Sequence, residues 1–195
     1  MLTLVLLGVF VTSAAIAAGE RQPDASPLPA FGYDRCDGFP CYLGMVPGLI
    51  SWTDANERIA GFQQGDTTYQ PLKLTRFTMP NAGGFLISNT PDLTLTEVAL
   101  SPRGYTGEFP TLRDLLLFYG TPCSVYTEQF QTHVTLIRLI YPHLTVDFPH
   151  ETERLTWERR PDYINIKRAQ DNLCELTEGL QPWRGTTLYW RYRQP

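Results

Sequence analysis

Four cysteines, Cys36, Cys41, Cys123 and Cys174, are the side chains in this 195-residue chain with the widest choice of chemistry. As thiolates they could attack a carbonyl, ligate zinc or exchange with a disulfide; as pairs they would staple the fold. The stretch CDGFPCYLGMVPG, Cys36 to Gly48, poses that choice directly. A zinc site needs two close Cys pairs, or Cys with His at finger-like spacing, and Cys123 and Cys174 stand far apart with no matching His pair. Cys36 and Cys41 have the wrong spacing for a Cys-x-x-Cys redox motif. Cys123 with His133 would form a nucleophile and base only if the thiol were unpaired. An even cysteine set in a chain with export features makes two disulfides the default. Of the three connectivities, Cys36–Cys41 and Cys123–Cys174 are expected, because Gly38 and Pro40 make a tight loop between the first two. On the chain-entropy model these bridges contribute about 2 and about 4 kcal/mol.

Two other sets of residues could do chemistry. His143, Asp147, His150 and Glu151 lie close in sequence as oxygen and nitrogen donors, but on a continuing strand His150 would face away from the first two, so no metal is assigned. The carboxylates Asp54, Glu57, Asp114, Glu151, Glu153 and Glu158 have no spacing that forces two of them into one cleft. No G-x-S-x-G, phosphate loop or H-E-x-x-H occurs. No catalytic residue and no cofactor is therefore assigned. The densest unusual feature is a set of aromatic and arginine residues: Trp157 with Arg159 and Arg160, then Trp183, Arg184, Tyr189, Trp190, Arg191 and Tyr192, with Arg193 closing the run. Trp, Tyr and Arg join contact area to directional hydrogen bonding, so Trp157, Trp183, Arg184, Tyr189, Trp190, Arg191 and Tyr192 are the candidate binding residues. The competing expectation is an antiparallel strand with aromatic side chains in the core and arginines in water.

The segments that must position these residues begin after an uncharged N-terminus. An apolar run from Leu2 to Val11 gives way to small residues ending at Ala18, the pattern of a secretory signal or, if uncleaved, of a membrane anchor over 1–18. No Cys follows, so lipid attachment at a mature N-terminus is not expected. Residues 19–35, rich in Pro, Ser, Ala and Gly, read as a flexible spacer. The remainder is long enough for one domain or two small lobes. With 43% hydrophobic and 18% charged residues the composition is globular. A net charge of −4 argues against nucleic acid, which needs a basic face.

Beyond Gly48, Trp52, Ala55, Ile59 and Phe62 fall at helical spacing, with Ser51 or Thr53 as cap. TTYQPLKLTRFTM, the turn NAGG and FLIS then make a hairpin signal. DLTLTEVAL supplies a further strand with a change of phase. The second half starts over: Thr111 caps a helix carrying Leu112, Leu115, Leu116 and Tyr119, and Gly120-Thr121-Pro122 stops it. VTLIRLIYPHLTVDF predicts two strands broken at Tyr141-Pro142-His143, and RLTWE and PDYINIKRA predict more. The expected fold is α+β: two tandem helix-plus-antiparallel-hairpin units, 36–101 and 102–195, with their helices on one face of the sheet.

Gly44-Met45-Val46-Pro47-Gly48 before Ser51-Trp52-Thr53, and Thr111 to Leu115 running on through Tyr119-Gly120-Thr121-Pro122, resemble the SmpA/OmlA (BamE-like) family of envelope modules. The first half carries that family's helix-opening signature and the second its helix-exit signature. In tandem, such modules resemble the beta-lactamase inhibitor protein type, secreted and disulfide-bonded, with a concave sheet that binds an enzyme. Pro40 to Ser51 also resembles a stretch found in exported bacterial proteins. The resemblance implies an exported, noncatalytic binding or envelope-assembly module that meets a protein partner through an exposed sheet face. The alternatives are an extracellular hydrolase, or a structural envelope component tethered by its N-terminal segment. All three place the protein outside the cytoplasm, secreted or held at the outer face of the membrane, touching membrane only through that segment.

Overall fold

The fold was obtained as a computed structural model and is described here for residues 27–69, 72–80, 82–89, 93–102, 109–130, 133–149, 155–175 and 179–185. It is dominated by strands. A small antiparallel sheet pairs β1 (Tyr33–Cys36) with β2 (Phe39–Tyr42). After helix α1 (Trp52–Arg58) come β3 (Gln63–Tyr69), β4 (Leu72–Thr78), β5 (Ala82–Asn89) and β6 (Glu97–Pro102). After helix α2 (Leu112–Tyr119) come β7 (Ser124–Phe130), β8 (His133–Tyr141), β9 (Leu144–Pro149), β10 (Tyr163–Lys167) and the short β11 (Leu180–Gln181). The last nine strands form one antiparallel sheet in the order β11-β7-β8-β9-β10-β6-β5-β4-β3.

This corrects the expected α+β pair of tandem units. The described residues are mostly β, the α-helices among them are only seven and eight residues long, and 36–101 and 102–195 do not form separate sheets. Strands β6 and β10 pair with Ile164 opposite Leu100 and Ile166 opposite Val98, so the sheet runs unbroken across the expected boundary. Short turns such as Pro142-His143 between β8 and β9 make sequence neighbours antiparallel, while the long-range pairing of β6 with β10 joins the two halves. RLTWE is read as a strand, but its described part, residues 155–158, is irregular chain with a turn at Trp157 and Glu158. The spacer expected over 19–35 is also too long, because Leu28 and Tyr33 are already buried in the core.

The local chemistry explains the elements. Ser51 accepts the Asp54 amide at 3.0 Å and caps α1. Thr111 and Asp114 form a reciprocal capping box on α2, with the Thr111 amide donating to Asp114 Oδ2 at 2.9 Å. The first hairpin turns on Asp37 (φ 52°) and Gly38 (φ 88°), the left-handed pair of a type I′ turn, and the Cys36–Cys41 disulfide lies across it. A second tight turn follows at Leu43 (φ 51°) and Gly44 (φ 73°). Gly44 is required twice over, since a side chain there would also meet Arg58 Nη1, which donates to the Leu43 carbonyl at 3.0 Å.

One face of the large sheet carries the core. Phe77, Leu86, Val98, Leu100, Ile164, Ile166, Val146, Phe148, Ile137, Leu139 and Val125 point into it, and Ala55, Ile59, Leu112 and Leu115 of the helices and Tyr33, Tyr42 and Met45 around the first hairpin complete it. CDGFPCYLGMVPG is thus a packed layer element. Tyr42 packs on Tyr33 at 5.2 Å and on Phe77 at 6.2 Å between ring centres, and Arg35 sits 5.6 Å over the Phe118 ring. Gly84 makes room on the sheet, for a Cβ there would come within 2.6 Å of both the Phe77 ring and the Ala99 carbonyl.

Burial pushes the phenols of Tyr33, Tyr42, Tyr119 and Tyr141 above their ordinary value of 10. The fold therefore favours the neutral phenol, while the unfolded chain ionises at its usual pH. Stability from these groups is complete below pH 10 and falls as pH rises beyond it. Absorbance titration near 295 nm should show these four of the ten tyrosines ionising only together with loss of far-ultraviolet dichroism. Four smooth, unfolding-independent titrations near pH 10 would refute this.

Candidate binding face

The side chains that alternate with the core set project from the opposite face of the large sheet, which neither α-helix nor the first hairpin covers. Strand registry arranges them in rows. Across β6, β5 and β4, Ala99 faces Phe85 and Phe85 faces Arg76. Across β10 and β6, Lys167 faces Glu97 and Asn165 faces Ala99. Tyr163 stands beside this group at the start of β10. Phe85 is 37% and Tyr163 47% exposed, and Arg76 is exposed as well. Gly83 and Ala99 lie between the two aromatic residues, so the middle of the face is low.

Toward β7 the same face deepens into a groove of about 600 Å³ whose lining includes Tyr126, Arg138, Thr145, Asn165, Leu173 and Leu180. Its floor is charged but internally matched. Arg138 donates from Nε and Nη2 to the two carboxylate oxygens of Asp147 at 2.6 and 2.7 Å, a fork geometry that only guanidinium provides. That hydrogen bonding raises the Arg138 pKa, against the opposing effect of burial. Lys167 Nζ lies 2.5 Å from Glu97 Oε2, and Asn165 Nδ2 donates to Thr145 Oγ1 at 3.3 Å.

The groove's wall comes from the segment after β10. The Cys123–Cys174 disulfide ties it to the start of β7. The Leu173 amide donates to the Pro142 carbonyl at 2.8 Å, and His143 Nδ1 is 2.8 Å from the Asp171 carbonyl. A carbonyl only accepts, so the Nδ1 proton is on that side of the imidazole. This strap sets Leu173, and Leu180 of the edge strand β11 beside Tyr126, against a polar floor, giving the groove both apolar and hydrogen-bonding surfaces.

The residues singled out in the sequence fall in different places. The cysteines form Cys36–Cys41 and Cys123–Cys174, which fits a protein outside the cytoplasm and removes Cys123 as a nucleophile. His143 serves the strap and Asp147 holds Arg138, while His150 and Glu151 lie outside the described residues. Among the described residues no group of three or more His, Cys, Asp or Glu side chains is placed to hold a metal ion. Asp54 and Asp114 belong to the helix N-termini. Trp157 is 48% exposed, but it lies beside α2, where its carbonyl accepts the Arg113 amide at 2.9 Å. Trp183 is half-buried against the core and Arg184 is exposed. Tyr189, Trp190, Arg191 and Tyr192 lie outside the described residues. Phe85, Tyr163, Arg76 and Arg138 were missed because each reads as an ordinary strand residue. Their alternation with buried neighbours was the available signal.

No family model matches the chain, and no curated protein matches it. Among solved structures the chain is similar to a cysteine-rich secretory protein of Staphylococcus aureus, with a TM-score of 0.39 and 7% identity. The match covers 70% of this chain and 52% of that one, so the chain spans about half that protein's length.

Proposed function

We propose that this chain is an exported, noncatalytic binding protein of the cell envelope that meets a protein partner on the open face of its nine-stranded sheet. The observation that carries this reading is the one-sided layering: both α-helices and the first hairpin cover one face, and the other keeps Phe85, Tyr163 and Arg76 at its surface. Aromatic and arginine side chains around a low centre are the kind that anchor protein contacts. The two disulfides support a site of action outside the cytoplasm, as a secreted or a tethered protein.

Capture from native envelope extracts tests the face. The combined variant Phe85→Ala, Tyr163→Ala and Arg76→Ala should retain the specifically captured protein at least about tenfold less well than the parent, since several hot-spot side chains are removed together. Leu49→Ala, at an exposed position next to α1, should leave capture unchanged. Equal retention by the triple variant and the parent would rule out this face.

A further inference from the structure

Toward its β11 edge the open sheet face suits a different kind of ligand from the patch at Phe85 and Arg76. Strand registry sets Tyr126 opposite Arg138, Arg138 opposite Asp147 and Asp147 opposite Tyr163. One row across β7, β8, β9 and β10 therefore carries a phenol at each end and an ion pair between them. Neighbouring strands lie about 4.8 Å apart, which sets the two tyrosines about 14 Å from each other. Tyr126 is held at the end of the groove, opposite Leu180 and beside Gly179, where a Cβ would stand 3.9 Å from its ring. The charged side chains lining the groove are all engaged within the chain: Arg138 with Asp147, Lys167 with Glu97, and Glu128, at the exposed rim, with an interaction of its own. Hydrogen-bonding capacity is nevertheless left over. Asn165 gives one N–H to Thr145, and among the described residues nothing takes its Oδ1, the Nη1 of Arg138 or the hydroxyl of Tyr126.

We propose that this groove takes a short neutral saccharide, a linear run of pyranose rings lying across the strands from Tyr126 toward Tyr163. The electrostatics favour an uncharged ligand. An ion would have to draw Arg138 or Asp147 out of a bidentate pair held at 2.6 and 2.7 Å, and opening such a pair leaves a poorly solvated charge behind. A hydroxyl needs no such exchange, since it both accepts and donates: it takes the spare N–H groups of Arg138 and Asn165 and gives its proton to Asn165 Oδ1. Its bond to the guanidinium is charge-assisted although the ligand carries no charge. The C–H side of a pyranose ring suits the phenol rings at the two ends and Leu173 and Leu180 on the wall. Aromatic, polar and aromatic surfaces follow one another along the row, and a trisaccharide covers its length. The groove volume of about 600 Å³ is that of a small-molecule site. An extended peptide fits less well, because its amides pair along strand edges and the face of a sheet offers them no backbone ladder.

The test uses the full chain with maltotriose, cellotriose and tri-N-acetylchitotriose, read by saturation-transfer nuclear magnetic resonance. At least one of them should bind with a Kd of about 1 mM or tighter. Tyr126→Ala should weaken that binding about tenfold and Asn165→Ala about fivefold, the share of one hydrogen bond. Tyr126→Phe keeps the ring and should weaken it less than Tyr126→Ala; with Asn165→Ala it carries the test if Tyr126→Ala does not fold. Added salt should leave binding unchanged, since the ligand forms no ion pair. No saturation transfer to any of the three sugars at about 10 mM, or binding that all of these variants leave intact, would overturn the proposal. So would equal transfer to acetylated and amidated triserine, whose hydroxyls come without pyranose rings, or a preference for trigalacturonate that salt removes, because the groove would then read charge. The measurement involves no protein partner, and Phe85→Ala, in the capture surface, should leave sugar binding unchanged. Failure here is therefore distinct from failure of the capture experiment.

Discussion

Replacing Cys123 and Cys174 together with alanine is expected to lower stability by about 4 kcal/mol, the chain-entropy value for a loop of this length. The bridge spans 51 positions of sequence and joins the start of β7 to a segment whose described ties to the rest of the fold include the Ala169 and Leu173 amides, the His143 imidazole, the Gln170 side chain and the two-residue β11. Without it, much of the sequence order between β7 and the strap must be found anew in the unfolded ensemble. Urea unfolding of the double variant should show a lower midpoint and a somewhat steeper slope, because the unfolded chain without the cross-link exposes more surface. A loss below about 1 kcal/mol would mean that the unfolded chain is already compact around this pair. The matching change at Cys36 and Cys41 should cost about 2 kcal/mol or less, because a type I′ turn already holds those strands in register. The long bridge also positions Leu173 over the sheet, so its removal should weaken capture of a partner that uses the groove. The short one, on the covered face, should leave capture alone.

The difference between these two bridges parallels what could be read from sequence. Local features were legible. Ser51 and Thr111 announce helix starts because a hydroxyl before an amphipathic run satisfies free amides, and Pro142-His143 announces a turn between two β-branched runs. The cysteine pairing followed from Gly38 and Pro40 together with an even count. Long-range pairing was not legible. Nothing in EVALSP or YINIK states that Leu100 will face Ile164, and that one register turns two expected units into a single sheet. Two short helices with clear caps drew more weight than their seven and eight residues merit, while strands exposed on one face gave only weak period-two signals. The open face was invisible for the same reason: Phe85 and Tyr163 become surface features only once the helices are known to lie on the other side.

Arg138→Met should be the most damaging single change on that open face, costing about 3 kcal/mol. Asp147 is only 6% exposed, and both of its carboxylate oxygens are held by Arg138. Methionine keeps most of the aliphatic stem and removes both donors, leaving a charge where water reaches poorly. The side chain of Arg138 itself is 37% exposed, so the loss belongs at the low end of the range for a broken buried pair. The reverse change, Asp147→Leu, leaves a guanidinium that can turn toward solvent and should cost less. The double change Arg138→Met with Asp147→Leu should recover at least half of the Arg138→Met loss, because no charge is then left buried. Additive single-variant losses in a thermodynamic cycle would show that the two side chains act independently, against the geometry. If the pair instead serves mainly to keep the groove floor flat and hydrogen-bonded, the double variant will fold well yet bind the partner poorly. Stability and capture measured on the same three variants therefore separate what this ion pair does for the sheet from what it does for the face.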